Sequence, residues 1–138
     1  MQLDLYLQET ARLAERQGRL LNQAAQRIQS GETLTELEQN GVLHAIQVLT
    51  ENAIGKAKHL LKTKGHQVPV SAYDAFRALS EAEVISKEDL TSWNAIVGLR
   101  NRIVHDYLNI DFHIIETLLV ESHHQITVDF LTRKEEIR

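Results

Sequence analysis

The chain has 138 residues, 43% of them hydrophobic and 25% charged, with a formal net charge of −4 and no cysteine. That length holds one domain, residues 1–138, with a hydrophobic core of its own. The missing cysteines exclude disulfides, thiolate zinc sites and a cysteine nucleophile, and the acidic balance argues against a broad nucleic-acid-coating role while permitting a local cationic pocket.

Met1-Gln2-Leu3-Asp4 lacks the basic region of a signal peptide, and no apolar run approaches membrane-spanning length, so the reading is a cytoplasmic protein with no membrane contact. From about Leu3 to Gln29, Leu7, Ala11, Ala14, Gly18, Leu21, Ala25 and Ile28 recur at steps of four and three. That is one stripe along an α-helix, and Ser30-Gly31 supplies its stop. Thr33-Leu34-Thr35-Glu36 has the spacing of a capping box. The stripe that follows is Val42, Ile46, Leu49, Ala53, Ala57 and Leu60, and Asn40-Gly41 leaves open one bent helix or a short turn before the main helix.

Ser71-x-x-Asp74 opens a third helix carrying Tyr73, Phe76 and Leu79, and Ser86-x-x-Asp89 a fourth with Leu90, Trp93, Ile96, Val97, Ile103 and Val104. Asp111 caps a last helix containing Ile114, Ile115, Leu118, Leu119, Ile126 and Phe130, and the charged tail from Arg133 to Arg138 is expected to fray. No strand-like alternation competes. The predicted fold is all-α, an antiparallel bundle of four to five helices joined by short connections.

The chemistry concentrates in Arg100-Asn101-Arg102-Ile103-Val104-His105-Asp106-Tyr107. Arginine is a permanent cation whose planar fork fits phosphate, and histidine exchanges protons near neutrality. Cutting RNA without a metal needs a base for the 2′-hydroxyl, an acid for the leaving 5′-oxygen and a cation for the charge on phosphorus. Arg100 suits the cation and His105 the base or the acid. One histidine serves poorly as both in a single step, so two copies in a homodimer are attractive.

On an ideal helix Arg100 and Tyr107 share a face, whereas His105 points away from Arg100. Either the helix breaks between His105 and Asn109 or the complementary residue comes from another chain, and the cap at Asp111 favours a break. Taken singly, Arg100 reads as an ion pair with an acidic neighbour such as Asp106, His105 as a helix-end cation and Tyr107 as a half-buried aromatic. Asn101 either positions the site through its amide or caps the helix end. Arg102, on another face, reads as contacting solvent or RNA backbone.

This stretch resembles the HEPN superfamily and, more closely, the HepT-like toxins, whose signature Gly-[Leu/Phe]-Arg-Asn-x3-His-x-Tyr is matched in full by Gly98 to Tyr107. Leu49 to Leu60 and Pro69 to Ile85 are also similar to the family. The resemblance implies homodimeric helical ribonuclease toxins that act on RNA and are paired with an MNT-type (MntA) nucleotidyltransferase antitoxin, which transfers AMP from ATP onto the motif tyrosine. Carried onto this chain, it implies Arg100 and His105 as catalytic, Asn101 and Arg102 as supporting and Tyr107 as the AMP acceptor. The alternative is a non-catalytic helical adaptor or substrate-binding subunit of a minimal nucleotidyltransferase. No cofactor is expected.

Two other clusters read more plainly. Lys56, Lys58, Lys62 and Lys64 could track RNA phosphates but fit a solvated helix face. His113, His123 and His124 with Glu116 and Glu121 suggest a metal site at first glance, but lack a His-x3-His pair and read as a polar face turned to solvent. Trp93 reads as core.

Overall fold

The computed structural model describes residues 2–135. Among these are six α-helices, one short 3-10 turn and no strand. We number the helices α1 (Gln2–Gln29), α2 (Glu36–Thr63), α3 (Ala72–Glu81), α4 (Lys87–His105), α5 (Phe112–Val120) and α6 (Gln125–Thr132), with the 3-10 turn Tyr107–Asn109 between α4 and α5. α1 and α2 form a long antiparallel hairpin. α6 and α5 pack on α1, while α3 and α4 pack on α2 and on each other.

The predicted stripes of α1 and α2 face the core, half-buried at Leu7, Ala11 and Ile28, whereas Tyr73, Val104 and Ile114 of the later helices are exposed. Ala14, Leu21 and Ala25 of α1 meet Val42, Ile46, Leu49, Ala53, Ala57 and Leu60 of α2 in one continuous core. Trp93 is 1% exposed and stacks on Phe76 with ring centroids 4.4 Å apart, and Phe130 of α6 meets Trp93 edge-on at 5.1 Å. This aromatic trio joins α3, α4 and α6. Asn40-Gly41 makes no turn: α2 is one helix of 28 residues passing through it.

The α2 cap sits two residues later than Thr33-x-x-Glu36 suggested. Thr35 is the N-cap, its hydroxyl accepting from Glu38 N at 3.1 Å while Glu38 Oε1 accepts from Thr35 N at 2.9 Å. Both threonines have glutamate three residues on; Arg27 of α1 decides between them by bonding Glu38. The caps at Ser71, Ser86 and Asp111 stand where expected.

The expected last helix is two. After α5, Ser122 takes φ 58°, Ser122 N donates to Leu119 O and His123 N to Leu118 O at 2.9 Å. That pair of bonds is a Schellman closure. The same closure ends α1 at Gly31 and α2 at Gly65. The tail is also not free at its start: Glu135 Oε2 lies 3.3 Å from buried Lys56 Nζ, and Arg133 packs over the Phe130 ring. Glu136 to Arg138, the rest of the tail expected to fray, lie outside the described residues.

Candidate functional site

α4 enters its motif half-buried and leaves it exposed. Trp93, Val97 and Ile103 anchor its inner face in the core. Arg100 shares that inner side and reaches α2, where its Nη2 donates to Glu51 Oε2 at 3.2 Å across 49 residues of sequence. Its Nη1 donates to Asn101 Oδ1 at 2.9 Å, so Asn101 orients the arginine through its amide and the helix-end cap falls to Asp106. The side chain is 28% exposed and Glu51's is 39%. Arg100 Nε is buried with no hydrogen-bond partner. Leaving such a donor unsatisfied costs about 1–3 kcal/mol. The fork is therefore held toward α2 at a cost, with Nε enclosed.

The helix runs regularly through His105 and stops there, with Asp106 N donating back to Arg102 O at 2.7 Å. The break therefore falls after His105, and five helical steps separate its exposed ring from the face that carries Arg100. Beyond the break, Asn109 Nδ2 donates to Asp106 Oδ1 at 2.7 Å and steadies the 3-10 turn. Tyr107 rides on that turn, 43% exposed, and its hydroxyl donates to Asn40 Oδ1 at 2.8 Å. Arg100 and Tyr107 thus reach the same helix, α2, at two different heights.

Beside α4 runs an apolar groove of about 890 Å³ between α2, α4, α5 and α6, with Ile96, Leu99, Leu118 and Ile126 in its walls and Arg102 among its polar lining. Arg102 is exposed, on a different face from Arg100. Val104, Leu108 and Ile114, also exposed, extend the apolar surface past the motif.

A family model described as ribonuclease HepT-like matches residues 10–130. The chain belongs to the HepT-like family. It is 30% identical over 86 residues to the mRNA nuclease HepT of Shewanella oneidensis, a stretch covering 62% of this chain and 63% of that relative. Solved structures share the fold of this chain, among them the following two. A toxin–antitoxin structure with AMP-PNP gives a TM-score of 0.77 at 19% identity, covering 91% of this chain and 97% of that one. A tri-AMPylated Shewanella oneidensis HEPN toxin in complex with an MNT antitoxin gives 0.69 at 22% identity, covering 96% and 97%.

In this HepT-like chain, motif reading alone missed what α2 contributes. Asn40, Gln47 and Glu51 lie at steps of seven and four, one polar stripe, and Gln47 Nε2 donates to Glu51 Oε2 at 3.3 Å. The signal was present as a helical period in polar residues; the partners across the interface were not.

The lysine run splits: Lys62 and Lys64 are exposed, as a solvated helix face requires, while Lys56 is not. Lys56 is 1% exposed, its Nζ donating to Phe130 O at 2.6 Å, and burial lowers its pKa more than nearby Glu135 raises it. Lys58 Nζ donates to Val70 O at 2.8 Å. Neither is a free cation for a phosphate. The three histidines go to different partners: His113 to Glu116, His123 to Glu121, and buried His124 to Asn22. Among the described residues no three His, Asp or Glu side chains converge as a metal-binding group. No described helix is long and apolar enough to cross a membrane.

Proposed function

We propose that the chain is the toxin of a type VII toxin–antitoxin pair: a cytoplasmic, metal-independent endoribonuclease that acts as a homodimer. Its antitoxin is a nucleotidyltransferase of the MNT type that silences it by transferring AMP onto Tyr107. The observation that carries this reading is the exit of α4. A guanidinium held at the α2 seam, an exposed imidazole on the last helical residue and an exposed tyrosine on the following turn lie within eight residues.

Within one protomer Arg100 and His105 occupy different faces of α4. That arrangement supports a shared cleft, in which each motif completes the other. The second copy seats its own α4 side along the apolar groove and the exposed Val104, Leu108 and Ile114.

In the cleft one His105 takes the proton of a ribose 2′-hydroxyl. The freed oxygen attacks the adjacent phosphorus, and the P–O5′ bond breaks. The partner subunit's His105 protonates the departing 5′-oxygen. Arg100 hydrogen-bonds the phosphoryl oxygens as their charge grows. The products are a 2′,3′-cyclic phosphate and a 5′-hydroxyl, and the two histidines exchange protonation states. In silencing, the Tyr107 oxygen attacks the α-phosphorus of ATP, pyrophosphate leaves and the phenolic proton passes to solvent. The resulting phosphodiester puts a negative charge and bulk where RNA must pass.

Expression in a bacterial host tests the reading. The chain alone arrests growth, and both His105→Ala and co-expression with the nucleotidyltransferase relieve the arrest. A harmless wild-type chain, or an equally toxic His105→Ala, contradicts it.

A further inference from the structure

We infer that Glu51 is a positioning residue of the nuclease site, setting the angle at which Arg100 meets the scissile phosphate. The inference rests on the nuclease reading above. Three observations on the Glu51–Arg100 pair carry it.

First, the contact joins two elements that the core holds rigidly. Val97 and Ile103 flank Arg100 on α4 and are buried, as are Leu49, Thr50 and Ala53 around Glu51 on α2. Both backbones are anchored by these buried neighbours, so the carboxylate is a reference point for the fork.

Second, Glu51 is itself held. Gln47, one turn earlier on α2, donates to the same Oε2 that accepts from Arg100. A surface glutamate with free rotamers could not orient anything. One fixed by a neighbour on its own helix can.

Third, the donors are divided. An arginine fork has five N–H groups. Asn101 takes one from Nη1 and Glu51 one from Nη2, while Nε has no acceptor and is buried. Acceptors on both terminal nitrogens clamp the plane, and the second N–H of each is what a phosphate oxygen can use, since Nε is enclosed. A misplacement of about 1 Å in such a group costs up to about a hundredfold in rate.

The carboxylate has an opposing effect. Beside Arg100 it cancels the positive charge that an approaching phosphodiester meets, so it weakens ground-state binding while fixing the geometry needed later. Position and charge separate in two variants. Glu51→Ala removes both, and Glu51→Gln keeps an amide oxygen for Arg100 Nη2 but removes the charge.

The test is steady-state cleavage of a fluorogenic RNA by purified protein, with thermal melts alongside and Arg100→Ala as the reference. Glu51→Ala lowers kcat about tenfold or more with an unchanged melting temperature. Glu51→Gln recovers part of kcat and lowers KM below wild type, a split that loss of folding cannot produce. If Arg100→Ala is inactive while Glu51→Ala keeps wild-type kcat and KM, the positioning role is overturned and the nuclease reading stands. If both Glu51 variants lose kcat equally and in step with a fallen melting temperature, Glu51 is structural only and the inference is likewise overturned. Arg100→Ala cleaving like wild type removes the nuclease reading and this role with it.

Discussion

The Tyr107 hydroxyl donates its hydrogen to Asn40 Oδ1 at 2.8 Å, tying the turn after α4 to the second turn of α2. The helix stops at Asp106, and Tyr107 reaches α2 from the 3-10 turn, nearer the start of α2 than the Glu51 that Arg100 meets. An adenylyl group on this oxygen removes the proton that makes the bond, so modification both adds charge and releases the turn. Mass spectrometry after co-expression with the nucleotidyltransferase and ATP is expected to place AMP on Tyr107, with no adduct in Tyr107→Phe. An adduct that persists in that variant places the modification elsewhere.

Acid stability is expected to fall in two steps with separate origins. His124 is buried, and burial, aided by the charge of neighbouring His123, lowers its pKa below the usual 6.5. Between that folded value and 6.5 the unfolded chain binds a proton that the native chain refuses, so stability drops as pH falls through this window. Glu38 is held at about 2 rather than 4.5 by its hydrogen bonds from Arg27 and Thr35 N. Its contribution is complete above 4.5 and lost as pH falls through about 2. Urea midpoints measured across this range check both. His124→Gln removes the upper step and keeps the lower; Glu38→Gln does the reverse. A variant that removes both steps together contradicts the assignment.

Lys56 closes the C-terminal end of the bundle. Its Nζ holds Phe130 O and reaches Glu135 Oε2, burying a cation under the end of α6. Glu135→Gln takes away the compensating charge and is expected to destabilise by about 2 kcal/mol. Because burial lowers the Lys56 pKa below 10.5, the unfolded chain holds its proton longer as pH rises. Lys56 therefore adds stability between its folded value and 10.5, and the rise is absent from Lys56→Met. Chemical denaturation of both variants at neutral and alkaline pH is the check.

What was legible in the chain follows from range. The apolar stripes of α1 and α2, and the caps at Ser71, Ser86 and Asp111, are local patterns and stand in the structure as read. The break between α5 and α6 was not legible, because Ser122 takes a left-handed position that glycine holds at the ends of α1 and α2; Glu83 does the same after α3. The choice of Thr35 over Thr33 depends on Arg27 across a helix hairpin. Lys56 looked like a surface cation because its acceptor, Phe130 O, lies 74 residues away. At the site, the motif was readable as a string, whereas the α2 partners Asn40 and Glu51 emerge only when the helices are side by side.

The most direct measurement is cleavage of RNA by the purified chain in excess EDTA, beside His105→Ala, with the product ends identified. The account predicts cleavage by the wild type alone, yielding 2′,3′-cyclic phosphate and 5′-hydroxyl termini. Equal cleavage by both proteins, or cleavage only when a divalent metal is restored, would contradict it.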